Sequence, residues 1–451
     1  MSHKIPAAVY HAVSDGAKKM IDVVAKFVEA ECIPADAAIE AQIGEGDARW
    51  ETHPAIIEDL KERAKTLGLW NMFLPHGHYQ ESPGWTNVEY GLMAEWLGRS
   101  RSASEACNCA APDTGNMEVL AKYGSDAQKK EWLAPLLDGK IRSAFLMTEP
   151  DIASSDATNI QLDIRREANE YVLNGSKWWS SGAGDPRCQL YIVMGKTDAK
   201  AKDVYRQQSV VLVSADTPGI KVHRMLKVYG YDDAPHGHGH ISFTNVRIPI
   251  SSVLLSEGRG FEIIQSRLGP GRLHHAMRSI GVSEAALDWM LMRVNDERKK
   301  PFGKLLREHG VILEWIAKSR IEIDAARLII LNAASKIDDL GPKKARAEIA
   351  EAKILTLNMA LKVIDRAVQS FGGAGVSQDT PLASMWAGIR MLKFADGPDE
   401  VHLQQLGRNE SKRGKQATEK IKWQQARTRE LLQRYGLEII EPGSRISHAK
   451  L

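Results

Sequence analysis

The stretch "YVLNGSKWWSSGA", residues 171–183, carries the strand pattern that interrupts an otherwise helical sequence and so decides the fold. Its Tyr, Val, Leu and Trp residues are typical of strands, and Asn-Gly is the dipeptide that two-residue hairpin turns favour. We therefore expect a hairpin turn at Asn174 and Gly175. Trp178 and Trp179 are neighbours on the second strand, so their rings would point to opposite faces, one of them inward.

Short β-rich runs continue after this stretch, with turn residues between them: "LYIVMGKT", "QSVVLVSAD", "GIKVHRML" and "GHISFTNVRIP". They predict a middle β domain over residues 143–255. Helical periodicity occupies both flanks. Ser14 and Ser125 are candidate helix N-caps within residues 1–142, and Gly68 is a candidate stop.

The C-terminal flank, residues 256–410, contains three long helical patterns, the first of them loosened at Gly269-Pro270-Gly271. The third ends at Gly372-Gly373, as helices often end at glycine. The order predicts an α+β chain: a helical domain, a β domain, then a bundle of long helices. Residues 411–451 are rich in Lys and Arg and form a peripheral tail. That tail is either a solvated helix or a surface for a neighbouring subunit.

Composition excludes several classes of function. The chain has 451 residues and a net charge of +3, so nothing indicates a nucleic-acid or membrane-surface partner. It has no apolar run long enough to span a membrane, and its start lacks a signal-peptide core. Of its four cysteines, only Cys107 and Cys109 are close, which indicates neither a disulfide framework nor a metal site. We expect a soluble, cytoplasmic protein.

Two polar stretches could bind a ligand. "FLMTEPDIASSDA", residues 145–157, offers hydroxyls and backbone N–H groups to a flat polar ring or a phosphate, although ordinary Asx and Ser/Thr turns look the same. "PHGHGH" places His236, His238 and His240 at alternate positions, but no acid or cysteine is spaced to complete a metal site. His274 and His275 are adjacent on a helix and cannot share a face. We predict no metal.

Three further stretches allow both a structural and a functional interpretation. "GPGRLHH" and "ERKKPFGKLL" carry basic residues that are either helix-surface charges or phosphate ligands. "FGGAGVSQDTP" is either a helix stop or a close backbone approach to a ligand, and it lacks the Gly spacing and preceding strand of a dinucleotide-binding fold. "FADGPDEVH", residues 394–402, puts Asp396 where an apolar segment stops, either in a solvent-facing turn or in a site.

These stretches, taken in order, resemble the acyl-CoA dehydrogenase family across nearly all of residues 10–410. The motifs that carry the resemblance are "MTEPDIASSD", "NGSKWWSSG", "RKKPFGKLL", "QSFGGAGVSQDTPLASMW" and "FADGPDEVH". The sequences of these motifs are most similar to those of the subgroup of mammalian family members 10 and 11 and their bacterial relatives. The resemblance implies a middle β-barrel-like domain and a C-terminal four-helix bundle. It also implies FAD, an acyl-CoA substrate, a homodimer or homotetramer that shares the FAD site, and electron-transfer flavoprotein as the electron acceptor.

The resemblance also assigns residues. Asp396 would be the base that takes the α-proton while the β-hydrogen passes to flavin N5. Positions that match family contacts to substrate are Ser155, Gly269, Arg272 and Gly397. Positions that match family contacts to FAD are Phe145, Met147, Thr148, Ser154, Ser155, Trp179, Ser180, Ser181, Arg298, Lys299, Phe302, Gln369, Gly372, Gly373, Pro398, Asp399 and Glu400.

The chain departs from the family pattern at several of these positions. Its flavin loop has one extra residue, and Ser154 replaces a glycine. In the "RKKPFGK" helix segment either Arg298 or Lys299 would contact FAD. The base is Asp rather than Glu, and some relatives carry their base on an earlier helix, at the position of Gly271. Two other interpretations stay open, namely a flavin oxidase of the same fold (nitroalkane or acyl-CoA oxidase type) and a flavin-free scaffold.

Overall fold

The computed structural model describes residues 5–76 and 80–437. These residues form two compact units, one up to Asp399 and a second from Glu400 onward. The last part of the predicted basic tail, residues 438–451, lies outside the described residues.

Eight α-helices lie in the described residues before the first strand, and local capping explains where several begin and end. The Ser14 hydroxyl accepts from Ala17 N–H at the start of the first helix, and Ser125 forms a capping box with Gln128. Gly68, at φ 74°, follows the third helix as predicted. The helices are α1 (Asp15–Phe27), α2 (Ile33–Ile43), α3 (Ala55–Thr66), α4 (Asn87–Leu97), α5 (Ala103–Ala106), α6 (Asp113–Tyr123), α7 (Asp126–Gln128) and α8 (Ala134–Leu137).

A seven-stranded sheet follows, in the order β1-β4-β2-β3-β7-β6, with β5 paired to β4. The β1–β4 and β2–β4 pairs are parallel and the other pairs are antiparallel. One face of the sheet has its own apolar core, separate from the core that joins the helices. The strands are β1 (Arg142–Leu146), β2 (Asp163–Glu167), β3 (Glu170–Ser181), β4 (Cys188–Lys196), β5 (Gln208–Ser214), β6 (Ile220–Met225) and β7 (His238–Pro249).

The hairpin predicted at Asn174 and Gly175 is wrong. Strand β3 runs through both residues, and the chain reverses earlier, between Glu167 and Glu170. The register against β7 shifts between Leu173 and Gly175, which is a β-bulge. Gly175 has φ 144°, and a Cβ there would lie 3.0 Å from Leu162 Cα, so the glycine permits a close backbone approach within the strand instead of a turn.

A second irregularity in β3 changes the expected placement of the two tryptophans. The register shifts again between Lys177 and Ser180, and Trp179 takes a left-handed φ of 51°. Strict alternation of faces therefore fails here. Trp178 is half-buried, Trp179 is 39% exposed, and their ring centroids lie 6.4 Å apart.

Four helices form the C-terminal bundle: α9 (Gly260–Val294), α10 (Gly310–Leu340), α11 (Arg346–Phe371) and α12 (Leu382–Leu392). Helix α9 continues through residues 269–271, so the loosening predicted there is absent. The segment that contains Arg298 and Phe302 lies between α9 and α10, in turns and a one-turn 3₁₀ helix (Pro301–Gly303) instead of the expected α-helix. Helices α13 (Asp399–Ser411) and α14 (Gly414–Arg434) follow, and α14 buries none of its residues.

The described residues contain neither a helix suited to cross a membrane nor a cluster of metal-ligating side chains. Within residues 5–76 and 80–437, no helix is both long and apolar enough to cross a bilayer. The same residues contain no cluster of three or more His, Cys, Asp or Glu side chains placed to hold a metal ion.

Candidate active site

Asp396 lies in a tight loop after α12 whose backbone two cationic side chains hold in place. Its φ of 56° is left-handed, a conformation that Asp tolerates better than most residues, and Gly397 follows at φ 101°. Arg272 Nε donates to the Asp396 carbonyl oxygen at 2.8 Å, and Lys353 Nζ donates to the Gly397 carbonyl oxygen. The Asp396 side chain is only 13% exposed, so the loop presents a carboxylate inside the protein.

Helix α9 surrounds that carboxylate on one side. Arg267 Nη1 lies 3.9 Å from Asp396 Oδ1, and His275 Nε2 lies 3.7 Å from Oδ2. Both separations exceed hydrogen-bonding distance, so these neighbours leave the oxygen lone pairs available to take a proton. Gly271 sits between them on the helix, and a Cβ there would come within 3.2 Å of Oδ2. The glycine therefore makes room for the carboxylate.

Burial sets the charge of the groups around Asp396. It lowers the pKa of His275 to about 4, because desolvation and the nearby Arg278 outweigh the attraction of Asp396, so the imidazole is neutral. Burial also lowers the pKa of Lys353 to about 8, against the opposing pull of Asp396. It lowers the pKa of Arg267 as well, but a guanidinium stays charged in proteins. The carboxylate thus faces a neutral imidazole and fixed positive charge.

Arg267 links Asp396 to the predicted flavin loop. Its guanidinium carbon lies 4.1 Å from the centre of the Phe145 ring at the end of β1, a cation–π contact. Its Nε donates to Asn116 Oδ1 of α6 at 3.1 Å. A second buried carboxyl, that of Glu118, lies near Arg267, and burial raises its pKa to about 8. Three separate elements therefore converge on the surroundings of Asp396.

The predicted flavin loop is tied to β3 by hydrogen bonds. Thr148 Oγ1 donates to the Trp178 carbonyl oxygen at 2.7 Å, and Trp178 N–H donates to the Thr148 carbonyl oxygen at 3.0 Å. Buried Lys177 donates to the Met147 carbonyl oxygen and to Glu149, both at 2.8 Å. The loop is therefore fixed against the strand by paired polar groups.

Ser154, the serine that replaces a family glycine, has a structural contact of its own. Its hydroxyl accepts from Glu149 N–H at 2.9 Å, which closes the loop despite its extra residue. Ser155 beside it is exposed.

The Trp179–Ser181 stretch presents an aromatic ring next to hydroxyl groups. Trp179 is 39% exposed at the β3 bulge. Ser181 Oγ lies 2.9 Å from His238 Nδ1, and the buried Ser180 hydroxyl has no hydrogen-bond partner among the described residues. A partly exposed indole ring beside hydroxyl groups suits a flat, partly polar ring such as a flavin.

The remaining predicted positions differ in their exposure and contacts. Arg298 is exposed and ion-paired with Asp296, Phe302 is 97% exposed, and Asp399 is buried against Asn358 and Lys393. Gly269 is buried on α9 and Pro398 is half-buried. The exposed positions also include Lys299, Gln369, Gly372, Gly373 and Glu400.

Sequence reasoning missed Arg267, His275, Lys353 and His238 as site residues. A signal existed for the first two, because Arg267, Gly271 and His275 recur every four residues and so share one face of a helix. In the sequence His275 stands out only beside His274, and His274 packs on Tyr90 in the core. Lys353 comes from α11, and no local pattern indicates that it reaches the Gly397 carbonyl.

Three models of the acyl-CoA dehydrogenase family match this chain: the N-terminal domain over residues 14–140, the middle domain over 144–246 and the C-terminal domain over 258–410. Acyl-CoA dehydrogenase family member 11 of Gallus gallus is 50% identical over 412 residues, which are 90% of this chain and 52% of that protein. The chain thus spans about half the length of that relative, and it covers 37% of family member 10 of Mus musculus, also 50% identical.

Shorter relatives match over most of their length. FadE2 of Mycobacterium tuberculosis is 52% identical over 81% of this chain and 88% of its own. A solved structure from Mycobacterium abscessus that carries the same family name superposes with a TM-score of 0.85 at 46% identity, covering 89% of this chain and 99% of that one. The chain therefore belongs to the acyl-CoA dehydrogenase family.

Proposed function

We propose that this chain is an FAD-dependent acyl-CoA dehydrogenase that introduces an α,β double bond into an acyl-CoA thioester, with Asp396 as the catalytic base. One observation carries the proposal. The Asp396 carboxylate is 13% exposed, its loop is held by Arg272 and Lys353, and its separations from Arg267 and His275 are longer than hydrogen bonds. A held carboxylate with free lone pairs is what removal of a weakly acidic α-proton needs.

The surrounding charges support the same reaction. When Asp396 takes the α-proton, its own charge is neutralised and negative charge develops on the thioester. Arg267 stays charged and close, so it can stabilise that negative charge without reorganising. Gly271 allows the short Asp side chain to stand against α9, where any larger residue would press on Oδ2. Ser155, Gly269, Arg272 and Gly397 are the proposed substrate contacts.

FAD would lie against the Trp179 ring, with the polar groups of Thr148, Ser154, Ser180 and Ser181 around it. When bound, FAD accepts the β-hydrogen as a hydride. We place the exposed positions Arg298 or Lys299, Phe302, Gln369, Gly372 and Gly373 against the FAD of a second copy, in a homodimer or homotetramer. The electrons would pass to electron-transfer flavoprotein. The four cysteines are free thiols, which suits a reducing compartment such as the cytoplasm.

A flavin oxidase of the same fold is the second candidate. The observation that favours it is the Asp at position 396, since nitroalkane oxidase also uses Asp as its base. The two candidates differ in where the electrons go, because an oxidase passes them to oxygen.

Anaerobic titration with a panel of acyl-CoA thioesters tests the proposal. The purified protein should show a flavin spectrum, and a subset of the thioesters should bleach it. Bleaching that is followed in air by stoichiometric peroxide would favour the oxidase. A colourless protein that binds no added FAD would contradict both candidates and leave the scaffold interpretation.

A further inference from the structure

One oxygen of the Asp396 carboxylate, Oδ2, lies against a single face of helix α9. A Cβ at Gly271 would come within 3.2 Å of this oxygen. His275 follows one helical turn further along the same face, and its Nε2 lies 3.7 Å from Oδ2. The helix therefore offers Oδ2 both a space, at the glycine, and a ring nitrogen.

Arg278 determines which nitrogen of His275 carries the hydrogen. Arg278 Nη2 lies 3.2 Å from His275 Nδ1. A guanidinium only donates hydrogen bonds, so Nδ1 has to accept, which excludes both the imidazolium and the Nδ1–H tautomer. The hydrogen of the neutral ring is therefore on Nε2, the nitrogen that faces Asp396. The lowered pKa of His275, which burial and Arg278 cause, agrees with this assignment.

A neutral donor suits a carboxylate that has to gain a proton. A cation bound to Oδ2 would stabilise the charged carboxylate and oppose its protonation. A neutral N–H can donate to Oδ2 both before and after a proton binds Oδ1, because the carbonyl oxygen of a carboxylic acid is still an acceptor. The separation of 3.7 Å is longer than a hydrogen bond, and catalytic hydrogen bonds that are long without substrate commonly shorten when substrate binds.

We propose that His275 is a positioning residue whose Nε2–H binds Oδ2 of Asp396 in the substrate complex and leaves Oδ1 to take the α-proton. The inference rests on the proposed function, in which the α C–H bond breaks and its proton binds Asp396. Gly271 gives the carboxylate its space against α9, and His275 gives it one orientation there. Arg278 acts one contact further away, by keeping the hydrogen of His275 on Nε2.

Two variants of His275 separate its two contacts. In His275→Asn the amide oxygen takes the place of Nδ1 and can accept from Arg278, but no group reaches Asp396. In His275→Gln the longer side chain brings an amide N–H to the place of Nε2 and gives up the contact with Arg278. The measurement is stopped-flow bleaching of the flavin by the acyl-CoA thioester that bleaches the unsubstituted protein fastest.

We expect bleaching to slow by about tenfold in His275→Asn and to stay within about threefold of normal in His275→Gln, because only the first variant leaves the carboxylate unpositioned. FAD content should not change in either. Equal rates in the two variants, whether normal or slow, would overturn the inference. A slow His275→Gln beside a normal His275→Asn would overturn it too, since the contact with Arg278 would then be the one that matters.

A second measurement does not depend on turnover. In ¹⁵N NMR of the purified protein labelled at its histidine rings, the signal that either variant lacks belongs to His275, so one folded variant is enough to identify it. We expect the neutral Nε2–H form at neutral pH, and an imidazolium or Nδ1–H signal would overturn the inference. A protein that no acyl-CoA bleaches would instead overturn the proposed function, whatever form the His275 signal shows.

Discussion

The Asp396 loop and the segment around Phe302 both carry family motifs, but the side chain of Asp396 is largely buried and that of Phe302 is exposed. In the loop, Arg272 and Lys353 each bind a backbone carbonyl, and the Asp396 side chain is 13% exposed. In the segment between α9 and α10, Phe302 is 97% exposed at a left-handed φ of 54°. Near the end of α11, a Cβ on Gly372 would meet nothing within 4 Å. The Asp396 loop is held by side chains of its own chain, whereas Phe302 and Gly372 are exposed to solvent.

The difference shows which part of the proposed site one chain can organise alone. A catalytic base has to be held close to its productive position, and side chains from α9 and α11 hold the loop of Asp396, the proposed base. Phe302 combines an exposed aromatic ring with a strained positive φ, and burial within its own chain does not offset that strain. Contact with another molecule would bury the ring and stabilise this conformation. We propose that a second copy of the chain contacts this segment and buries the Phe302 ring. The two regions should therefore respond differently to substitution.

Removal of the proposed base should have the largest effect. Asp396→Asn keeps the shape of the side chain but cannot accept the α-proton, so we expect turnover to fall by about 10²–10⁴-fold. FAD content should not change, because the backbone contacts of the loop remain. Stopped-flow bleaching of the flavin by acyl-CoA measures the effect. Asp365→Asn, on an exposed position of α11, is the matched control. Normal bleaching in Asp396→Asn would remove Asp396 from this role.

Gly271→Ala should displace the carboxylate without removing it. The added Cβ would lie 3.2 Å from Asp396 Oδ2, so the carboxylate has to shift by a few tenths of an ångström. Misplacement of a reacting group by about 1 Å can cost 10²-fold, so we expect a loss of roughly tenfold in the bleaching rate. Gly388→Ala, on α12 with nothing within 4 Å of its Cβ, is the control. Equal rates in both variants would show that the contact with Gly271 does not constrain the base.

The order of helices and strands could be predicted from the sequence because its determinants are local. Caps at Ser14 and Ser125 and the stop at Gly68 depend on a few neighbouring residues. The turn predicted at Asn174-Gly175 is wrong because that prediction also used only neighbouring residues. The dipeptide is favoured in a turn, but here the close approach of Leu162 requires the glycine within a strand.

The candidate site was only partly predictable. Asp396 could be found because a run of motifs surrounds it, although alone it resembles a surface turn. Arg267 and Lys353 could not, because the first contacts a ring from β1 and the second reaches the loop from α11. Such contacts depend on how distant segments pack, and no spacing along the chain encodes them. His238 was visible as part of an alternating pattern, but its contacts with Ser181 and Asp233 appear only when β7 pairs with β3.

Phe302→Ala should affect the exposed region and leave the proposed base, Asp396, unchanged. If a second copy covers the ring, the variant loses the burial of one aromatic side chain at that contact, worth about 1.5–3 kcal/mol. We expect FAD affinity to fall by roughly tenfold and self-association to weaken. FAD titration and sedimentation velocity measure these effects, and Tyr10→Ala, another exposed aromatic, is the control. The bleaching rate of the FAD-loaded variant should stay normal. Unchanged association and affinity would contradict the second-copy contact.

Acid should lower the free energy of unfolding through His274, a buried histidine of α9. Burial lowers the pKa of His274 to about 3, whereas an exposed histidine titrates near 6.5. Between these pH values the unfolded chain binds the proton and the folded chain does not, so stability falls as pH falls through this window. The loss from His274 should reach on the order of 2 kcal/mol by pH 5, at 1.36 kcal/mol per pKa unit.

His274→Phe isolates this contribution. The phenyl ring can pack on Phe73 and Tyr90, which the imidazole meets edge-on at centroid distances of 6.4 and 5.1 Å, and it cannot take a proton. Urea unfolding at pH 7 and pH 5 should therefore show a smaller loss of stability in the variant than in the unsubstituted protein. His11→Phe, at an exposed position, should leave the pH dependence unchanged. If His274→Phe loses as much stability as the unsubstituted protein, acid acts on other groups, and the packing around α9 is no more sensitive to pH than the exposed region.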